Sequence, residues 1–252
     1  MHNISRNVAL FPTLFVLLLF SFQYFIDQAA GGSDLIVGCN NNGQCARSLL
    51  HFNVDSLLPD DAVITDVQMT LLPAASVAVG DPPMTLNVHQ VTTPWSRTGE
   101  STPDGERDSW PDSLQGTVAN DGDVTWKYSV YPTDEWTTEG GDVNNEVMTT
   151  VVSEGYSGRA SPLFFPMTDE FKRVVTGWID GSIPNNGVMV KRDNEDPSDN
   201  TLRIMFHEES GNKDYRSPKL LITYTSVSQP EQAPSAASGP GILLPGEPTQ
   251  AP

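Results

Sequence analysis

Short runs in which apolar and polar residues alternate dominate the chain between Leu35 and Tyr224. In the first of them, Leu50, Phe52 and Val54 alternate with polar neighbours. The same pattern recurs at Val67 to Leu71, Leu86 to Val88, Val188 to Val190, Leu202 to Phe206 and Leu220 to Tyr224. Successive side chains of a strand point to opposite faces, so each run is typical of a half-buried strand. Turn-forming residues separate the runs, and the pattern therefore predicts an all-β, antiparallel β-sandwich.

One segment, near 169–180, departs from the period of two. Its apolar residues lie at helical spacing on one stripe: Phe171, Val174, Val175, Trp178 and Ile179. Thr168 is a suitable N-cap, and Gly181 is a suitable stop after the last apolar residue. The spacing predicts one short helix with Trp178 facing the core.

The two ends of the chain differ in composition from the middle. Residues 1–32 resemble an export signal, because Arg6 precedes a long apolar run and Ala29 and Gly31 are spaced as a signal peptidase requires. The alternative is an uncleaved membrane anchor, since the run is nearly long enough to span a bilayer. We expect one sandwich domain over 33–225, and a disordered tail or linker over 226–252, which is rich in Pro, Ala, Ser and Gly.

The net charge narrows the classes of partner. Lys and Arg total 14 against 32 Asp and Glu, which gives a formal charge of -18. A chain this acidic repels polyphosphates, so we expect no nucleic-acid partner. A membrane is expected as a partner only where the N-terminal segment stays uncleaved, and the domain is expected to be secreted.

The two cysteines, Cys39 and Cys45, lie close together with Asn and Gly residues between them. An exported chain meets an oxidising compartment, so these two thiols are predicted to form a small disulfide loop. Two thiolates alone fall short of the four ligands of a structural zinc site.

The region from Thr92 to Gly158 is polar and Gly-rich, and it carries four of the five tryptophans. Trp110 and Trp136 have acidic and hydroxyl neighbours and no apolar periodicity, so they are the candidates for stacking against sugar rings. The alternative for both is that they anchor the long loop. Trp95 and Trp126 flank strand-like runs and are expected to be at least partly in the core.

Six motifs in order resemble one family. They are Arg47 to Val54, Ile64 to Leu72, Val88 to Trp95, Val124 to Tyr128 with Trp136 and Gly140 to Val143, Val174 to Gly181 with Asn185 to Val188, and Arg216 to Tyr224. Together they are similar to the DNRLRE-type domain over about Leu35 to Tyr224. The resemblance implies a jelly-roll-like sandwich grouped with carbohydrate-binding modules, some of which bind alginate. The first strand of that family, upstream of Leu35, is expected to be short or absent here.

No set of residues in the sequence indicates a catalytic site. His51, His89 and His207 fall in alternating runs that point them outward, and no Gly-x-Ser-x-Gly motif accompanies them. All three are expected at the surface, and the protein is expected not to be an enzyme. Paired carboxylates of a glycosidase stay open, because 32 acidic residues offer many pairs.

The segment 191–200 packs four acids and two amides between two strands. Hard oxygen ligands of this kind suit calcium, and Asp193, Asp196 and Asp199 are the candidate ligands of one structural ion. The alternative is a solvated acidic loop. A second, weaker cluster consists of Asp121, Asp123 and Asp142.

These observations predict a secreted, non-catalytic module that binds extracellular polysaccharide or a cell-wall glycan. The alternative is a structural or adhesive surface module with protein partners, in which the Pro-rich tail serves as a stalk. A polysaccharide lyase or hydrolase is the third hypothesis.

Overall fold

The computed structural model describes residues 20–27, 34–40, 44–54, 57–77, 82–96, 119–154, 161–196, 201–206 and 217–226. Strands dominate these ranges. They are β1 Phe20–Asp27, β2 Asp34–Cys39, β3 Cys45–Ala46, β4 Ser48–Leu50, β5 Val63–Leu71, β6 Pro73–Val77, β7 Met84–Val91, β8 Tyr128–Val130, β9 Asp134–Glu135, β10 Val143–Ser153, β11 Leu163–Phe165, β12 Val188–Arg192, β13 Thr201–Phe206 and β14 Lys219–Ser226, with helix α1 Asp169–Asp180 between β11 and β12. The predicted all-β fold with one short helix is confirmed.

The strands form three four-stranded sheets and one two-stranded hairpin, and all the pairings are antiparallel. The first sheet has the order β1-β14-β5-β11, and a second, here called the site sheet, has the order β10-β7-β12-β4. The third has the order β3-β2-β13-β6, and β8 pairs with β9. The site sheet contributes to the core with one face and carries a separate layer on its other face.

The core lies between the sheets, where the predicted alternation places the apolar positions. Val67, Met69 and Leu71 of β5 meet side chains of the site sheet and of α1 in one cluster. The members from the site sheet and α1 include Leu50, Leu86, Val88, Val188, Val190, Phe171, Val174, Val175 and Trp178. Burial of this apolar surface is the main contribution to the stability of the sandwich.

Helix α1 has the boundaries that its capping residues predict. Thr168 accepts a hydrogen bond from the Phe171 amide at 3.0 Å, and Gly181 ends the helix with a left-handed φ of 75°. Trp178 is buried against the core, as predicted. Within the described residues, no helix combines the length and apolar character needed to cross a membrane.

The predicted disulfide joins Cys39 and Cys45. It connects the end of β2 to β3, and Asn40 and Gln44 hydrogen-bond to each other inside the loop that it closes. The bridge therefore fixes the tight connection at the edge of the third sheet.

Strand β1 lies within the predicted export signal. Its eight residues pair with β14 from Phe20 opposite Ser226 to Asp27 opposite Lys219. A strand upstream of Leu35, which the sequence predicts to be short or absent, is thus described in this chain. Removal of residues 1–32 would leave β14 as the edge of its sheet.

Candidate functional site

The candidate site lies on the outer face of the site sheet, the face turned away from the core. Residues 119–142, here called the cover segment, lie across part of this face. Below them a small second cluster, here called the outer cluster, is made of Val91, Trp95, Trp136 and Met189, with Leu49, Val124 and Val143 packed against it. The cover segment thus has an apolar base of its own on the sheet.

Hydrogen bonds fasten the cover segment to the strands. Thr92 donates its amide to the Asp142 carbonyl at 3.0 Å, and Ser96 donates to Ser129 at 2.9 Å. The indole of Trp95, on which Trp136 of the cover segment packs, is itself fixed by a hydrogen bond to the Asn186 carbonyl at 2.7 Å. The cover segment is therefore held at several points by the sheet and its connections.

The Asp142 carboxylate organises one turn of the cover segment. It accepts hydrogen bonds from the amides of Thr137 and Thr138 at 3.0 and 2.8 Å, and from the Thr93 hydroxyl at 2.8 Å. Burial opposes ionisation of this carboxyl, but the hydrogen bonds outweigh it and hold the pKa of Asp142 below its usual range. Asp142 is therefore a structural anion that fixes the turn before Gly140 and Gly141.

Trp126 is the tryptophan that the cover segment presents to solvent. Its side chain is 43 % exposed, whereas Trp95, Trp136 and Trp178 are buried. The Arg47 guanidinium lies over the ring, 4.8 Å from its centroid. Gly140 donates its amide to the Trp126 carbonyl at 2.6 Å. The indole is thus supported from the protein side and retains a solvent-facing surface.

More aromatic and charged groups lie in the adjoining β8–β9 hairpin. Tyr128 and Tyr131 make an edge-to-face contact with centroids 5.2 Å apart. Lys127 pairs with Glu135 at 2.9 Å, and its ammonium lies 5.2 Å from the Tyr128 ring centroid. This hairpin therefore presents aromatic rings beside donors and acceptors.

A polar row crosses the site sheet beside the cover segment. Lys191 of β12 is opposite Asn87 of β7 in the register, and Asn87 is opposite Thr150 of β10. The Thr150 hydroxyl donates to the Asn87 side-chain oxygen at 2.9 Å. Thr150 is exposed and Lys191 and Asn87 are half-buried, so this row offers hydroxyl, amide and ammonium groups at the surface.

His89 corrects an expectation from the sequence. It points away from the core as predicted, but it is 5 % exposed, because structure on the outer face covers it. Its Nδ1 lies 2.9 Å from the Asn144 carbonyl, and Nε2 has no hydrogen-bond partner in the described part of the chain. Burial lowers the pKa of His89, and the nearby charges of Lys191 and Arg47 lower it further. The prediction that His89 lies at the surface is wrong, because the alternation of a strand shows which side chains point away from the core but not what covers them.

Of the two predicted sugar-binding tryptophans, one is described. Trp136 lies in the outer cluster, is 6 % exposed, and donates its indole N–H to the Thr125 carbonyl at 3.0 Å. This placement agrees with the alternative interpretation, in which Trp136 anchors the long loop. Trp110 and His207 lie outside the described residues. Trp95 is buried as expected, whereas Trp126 keeps more of its surface exposed than its strand-like flank indicates.

The acidic segment after β12 contributes an ion pair to the site. Asp193 and Asp196 are exposed, and Asp199 lies outside the described residues. Glu195, between them, binds Arg47. In the ranges that the structure covers, no group of three or more His, Cys, Asp or Glu side chains is placed to hold a metal ion. Calcium at Asp193, Asp196 and Asp199 stays a prediction.

The second acidic cluster is also engaged internally. Asp123 is buried and accepts the Asn120 amide at 2.7 Å, and Asp142 accepts the three bonds described above. Both carboxylates thus contribute to the conformation of the cover segment.

Comparison with protein-family models and with curated proteins finds no match to this chain. The similarity to DNRLRE-type domains therefore stays a prediction from the six motifs.

The sequence contains one signal for Trp126 that periodicity does not use. Gly140 and Gly141 have φ values of 85° and 108°, and a Cβ at Gly140 would lie 2.8 Å from Trp126 Cζ2. Consecutive glycines indicate a left-handed turn or a close approach of the backbone to other atoms. That signal points to position 140 but does not identify which ring the backbone approaches.

Proposed function

We propose that this protein is a secreted, non-catalytic module that binds extracellular polysaccharide, and that a sugar ring stacks on Trp126. The observation that carries the proposal is the contrast between Trp126, which is 43 % exposed with the Arg47 guanidinium over its ring, and the three buried tryptophans. A pyranose offers an apolar C–H face to an aromatic ring and hydroxyl groups to polar neighbours. An exposed indole beside hydrogen-bonding groups suits both requirements.

The neighbourhood of Trp126 supports the same choice. Tyr128 and Tyr131 lie in the adjoining hairpin, and Lys127 and Glu135 supply a donor and an acceptor at its surface. The polar row of Lys191, Asn87 and Thr150 extends across the sheet. Neighbouring strands lie about 4.8 Å apart, so this three-strand row spans roughly 10 Å, which suits an extended chain better than a single small molecule. The formal charge of -18 disfavours nucleic acid.

A pulldown on insoluble polysaccharides tests the proposal. The mature protein is incubated with cellulose, chitin, xylan and mannan, and the bound fraction is measured for the wild type and for Trp126→Ala. We expect Trp126→Ala to weaken retention on the bound polysaccharide at least about tenfold, equivalent to about 1.4 kcal/mol.

Phe164→Ala is the matched control. Phe164 is an exposed aromatic residue of β11, in the sheet β1-β14-β5-β11 and not in the site sheet, so its removal should leave retention unchanged. Equal binding by wild type and Trp126→Ala would remove Trp126 as the platform. Failure to bind any polysaccharide, together with recovery of a protein partner, would instead favour the adhesive module. Release of soluble sugar would favour an enzyme.

A further inference from the structure

Three segments that are distant in sequence meet at the Arg47 guanidinium: that of Arg47 itself, the cover segment and that of Glu195. Nε and Nη2 donate to the two carboxylate oxygens of Glu195 at 2.8 and 2.6 Å. Nη1 donates to the Gly140 carbonyl at 2.9 Å, and the planar group lies over Trp126. A guanidinium held by a two-pronged carboxylate contact and a third hydrogen bond has little rotational freedom.

The environment of this ion pair differs from that of its neighbour. The side chains of Arg47 and Glu195 are each 17 % exposed, whereas those of Lys127 and Glu135 are 52 % and 54 % exposed. Solvent screens the second pair and reduces its effect on conformation. The first pair is shielded on most sides, so its geometry determines where the guanidinium lies.

Gly140 contacts both the Arg47 guanidinium and the Trp126 indole. A Cβ at position 140 would lie 2.5 Å from Arg47 Nη1 and 2.8 Å from Trp126 Cζ2, so backbone, guanidinium and indole are already in contact. The indole is therefore bounded on one side by Arg47 and Gly140, and Arg47 cannot move without breaking its bonds to Glu195. Contacts on the protein side thus define the orientation of Trp126.

We propose that Arg47 and Glu195 are positioning residues, which hold the Trp126 indole in the orientation that accepts a sugar ring. This inference rests on the proposed function. A side chain that is already fixed loses less conformational entropy on binding, so the ion pair raises affinity without touching the ligand. Arg47 covers one side of the indole, and the ligand ring takes the solvent-facing side. Glu195 also makes the segment after β12 part of the site.

Binding measurements test this inference with the polysaccharide that retains the wild type in the pulldown. We expect Arg47→Met and Glu195→Gln each to weaken retention about tenfold, because either change removes the two-pronged contact. Arg47→Lys keeps the charge but cannot form that contact, so we expect it to restore only part of the affinity. Arg173→Met, which removes one positive charge from the exposed face of α1 and breaks its pair with Glu170, should change retention less than about twofold.

A measurement without ligand separates this inference from the proposed function. Acrylamide quenching of tryptophan fluorescence is recorded for each variant, and Trp126→Phe identifies the contribution of Trp126. We expect Arg47→Met and Glu195→Gln to increase the quenching of Trp126 by at least about half, because removal of either partner frees the ring, while Arg173→Met leaves it unchanged. Thermal melts show whether each variant is folded. If Arg47→Met does not fold, Glu195→Gln provides the test.

The outcomes are distinguishable. Retention and quenching that stay at wild-type values in Arg47→Met and Glu195→Gln would overturn the positioning role, even if Trp126→Ala abolishes binding. An equal loss in Arg173→Met would also overturn it, because the effect would then come from net charge. Wild-type binding by Trp126→Ala would overturn the proposed function, and the quenching data would then report on the orientation of Trp126 alone.

Discussion

A side chain at position 140 would occupy space that Arg47 and Trp126 already fill. Gly140 and Gly122 both have positive φ values, 85° and 94°, but a Cβ at Gly122 would meet no atom within 4 Å. Gly122→Ala should therefore cost about 1–2 kcal/mol for the left-handed backbone alone. Gly140→Ala adds a steric clash, for which we expect a further cost of about 1–3 kcal/mol.

Urea denaturation of the two variants separates these contributions, because both variants carry the cost of a left-handed alanine backbone and only Gly140→Ala adds the clash. Trp126 quenching should change in Gly140→Ala and not in Gly122→Ala. Equal losses of stability in the two variants would mean that Arg47 and Trp126 rearrange around a methyl group without cost.

Asp142 makes the stability of the cover segment depend on pH. Its folded pKa is lowered, so the native state holds the ionised form while the unfolded chain takes up a proton first as the pH falls. The stabilisation is complete above the unfolded value, near 4, and is lost as the pH falls through the folded pKa. Asp142→Asn should lower stability at pH 7 by about 1–3 kcal/mol.

Melts between pH 7 and pH 3 test this dependence, with Asp66→Asn, a change at an exposed carboxylate of β5, as the control. The difference between wild type and Asp142→Asn should shrink toward pH 3, whereas Asp66→Asn should follow the wild type throughout. If the difference in stability between wild type and Asp142→Asn stays constant with pH, the negative charge of Asp142 does not contribute to stability.

At the scale of single elements, Thr168 joins α1 to β10. Its hydroxyl accepts the Phe171 amide at 3.0 Å and donates to the Met148 carbonyl. Thr168→Ala removes both bonds, and we expect a loss of about 1–2 kcal/mol, in the range of N-cap substitutions. Thr168→Ser keeps the hydroxyl and should retain most of the stability. Chemical denaturation of the pair measures the contribution of the hydroxyl, and an equally stable Thr168→Ala would contradict it.

Elements were predictable where one local pattern determines them. Helix α1 combines an apolar stripe with a cap and a glycine stop, and the alternating runs give β5, β7 and β14 their buried faces. The pattern fails on the outer face of the site sheet, where the cover segment packs on Val91 and Met189 and where His89 is also buried. That segment comes from a distant, irregular part of the chain, and a periodicity of two carries no information about it.

The absence of tertiary information from local sequence patterns also explains why the exposed tryptophan was not predicted. Trp126 flanks a strand-like run and Trp136 has polar neighbours without periodicity, so the local pattern favours burial of Trp126 rather than of Trp136. Their difference in burial comes from tertiary contacts, with Met189 and Trp95 around Trp136 and with Arg47 and Gly140 around Trp126. Except for the contact of Gly140 with Trp126, those contacts join residues more than 40 positions apart, which local sequence does not specify.

At the scale of the whole molecule, excess negative charge makes a divalent cation a plausible stabiliser. If calcium binds at Asp193, Asp196 and Asp199 as predicted, an ion at 100 times its dissociation constant adds about 2.7 kcal/mol. The melting temperature should then rise by about 5–10 °C in millimolar calcium relative to chelator. The double variant Asp193→Asn/Asp196→Asn should lose that rise. Coincident melts of the wild type in calcium and in chelator would leave the segment as solvated surface.

The last prediction concerns the predicted export signal, which overlaps a strand of the fold. With Gly31 as the last residue of the signal, N-terminal sequencing of the secreted protein should begin at Gly32. The mature chain then lacks β1, which pairs along all eight residues of β14. Alternate amides of an edge strand point away from its one neighbour, so about half of the β14 amides lose their partners.

Hydrogen exchange measures the consequence for the sheet. In the full chain both edges of β14 are paired, with β1 and with β5, and its amides should exchange slowly. In the mature chain, alternate amides between Lys219 and Ser226 should exchange much faster, while those that bond to β5 stay protected. The amides of β12, which keeps both its neighbours, β7 and β4, are the internal control. A mature N-terminus at or before Phe20, with β14 fully protected, would contradict cleavage at Gly31 and assign Phe20–Asp27 to the folded domain.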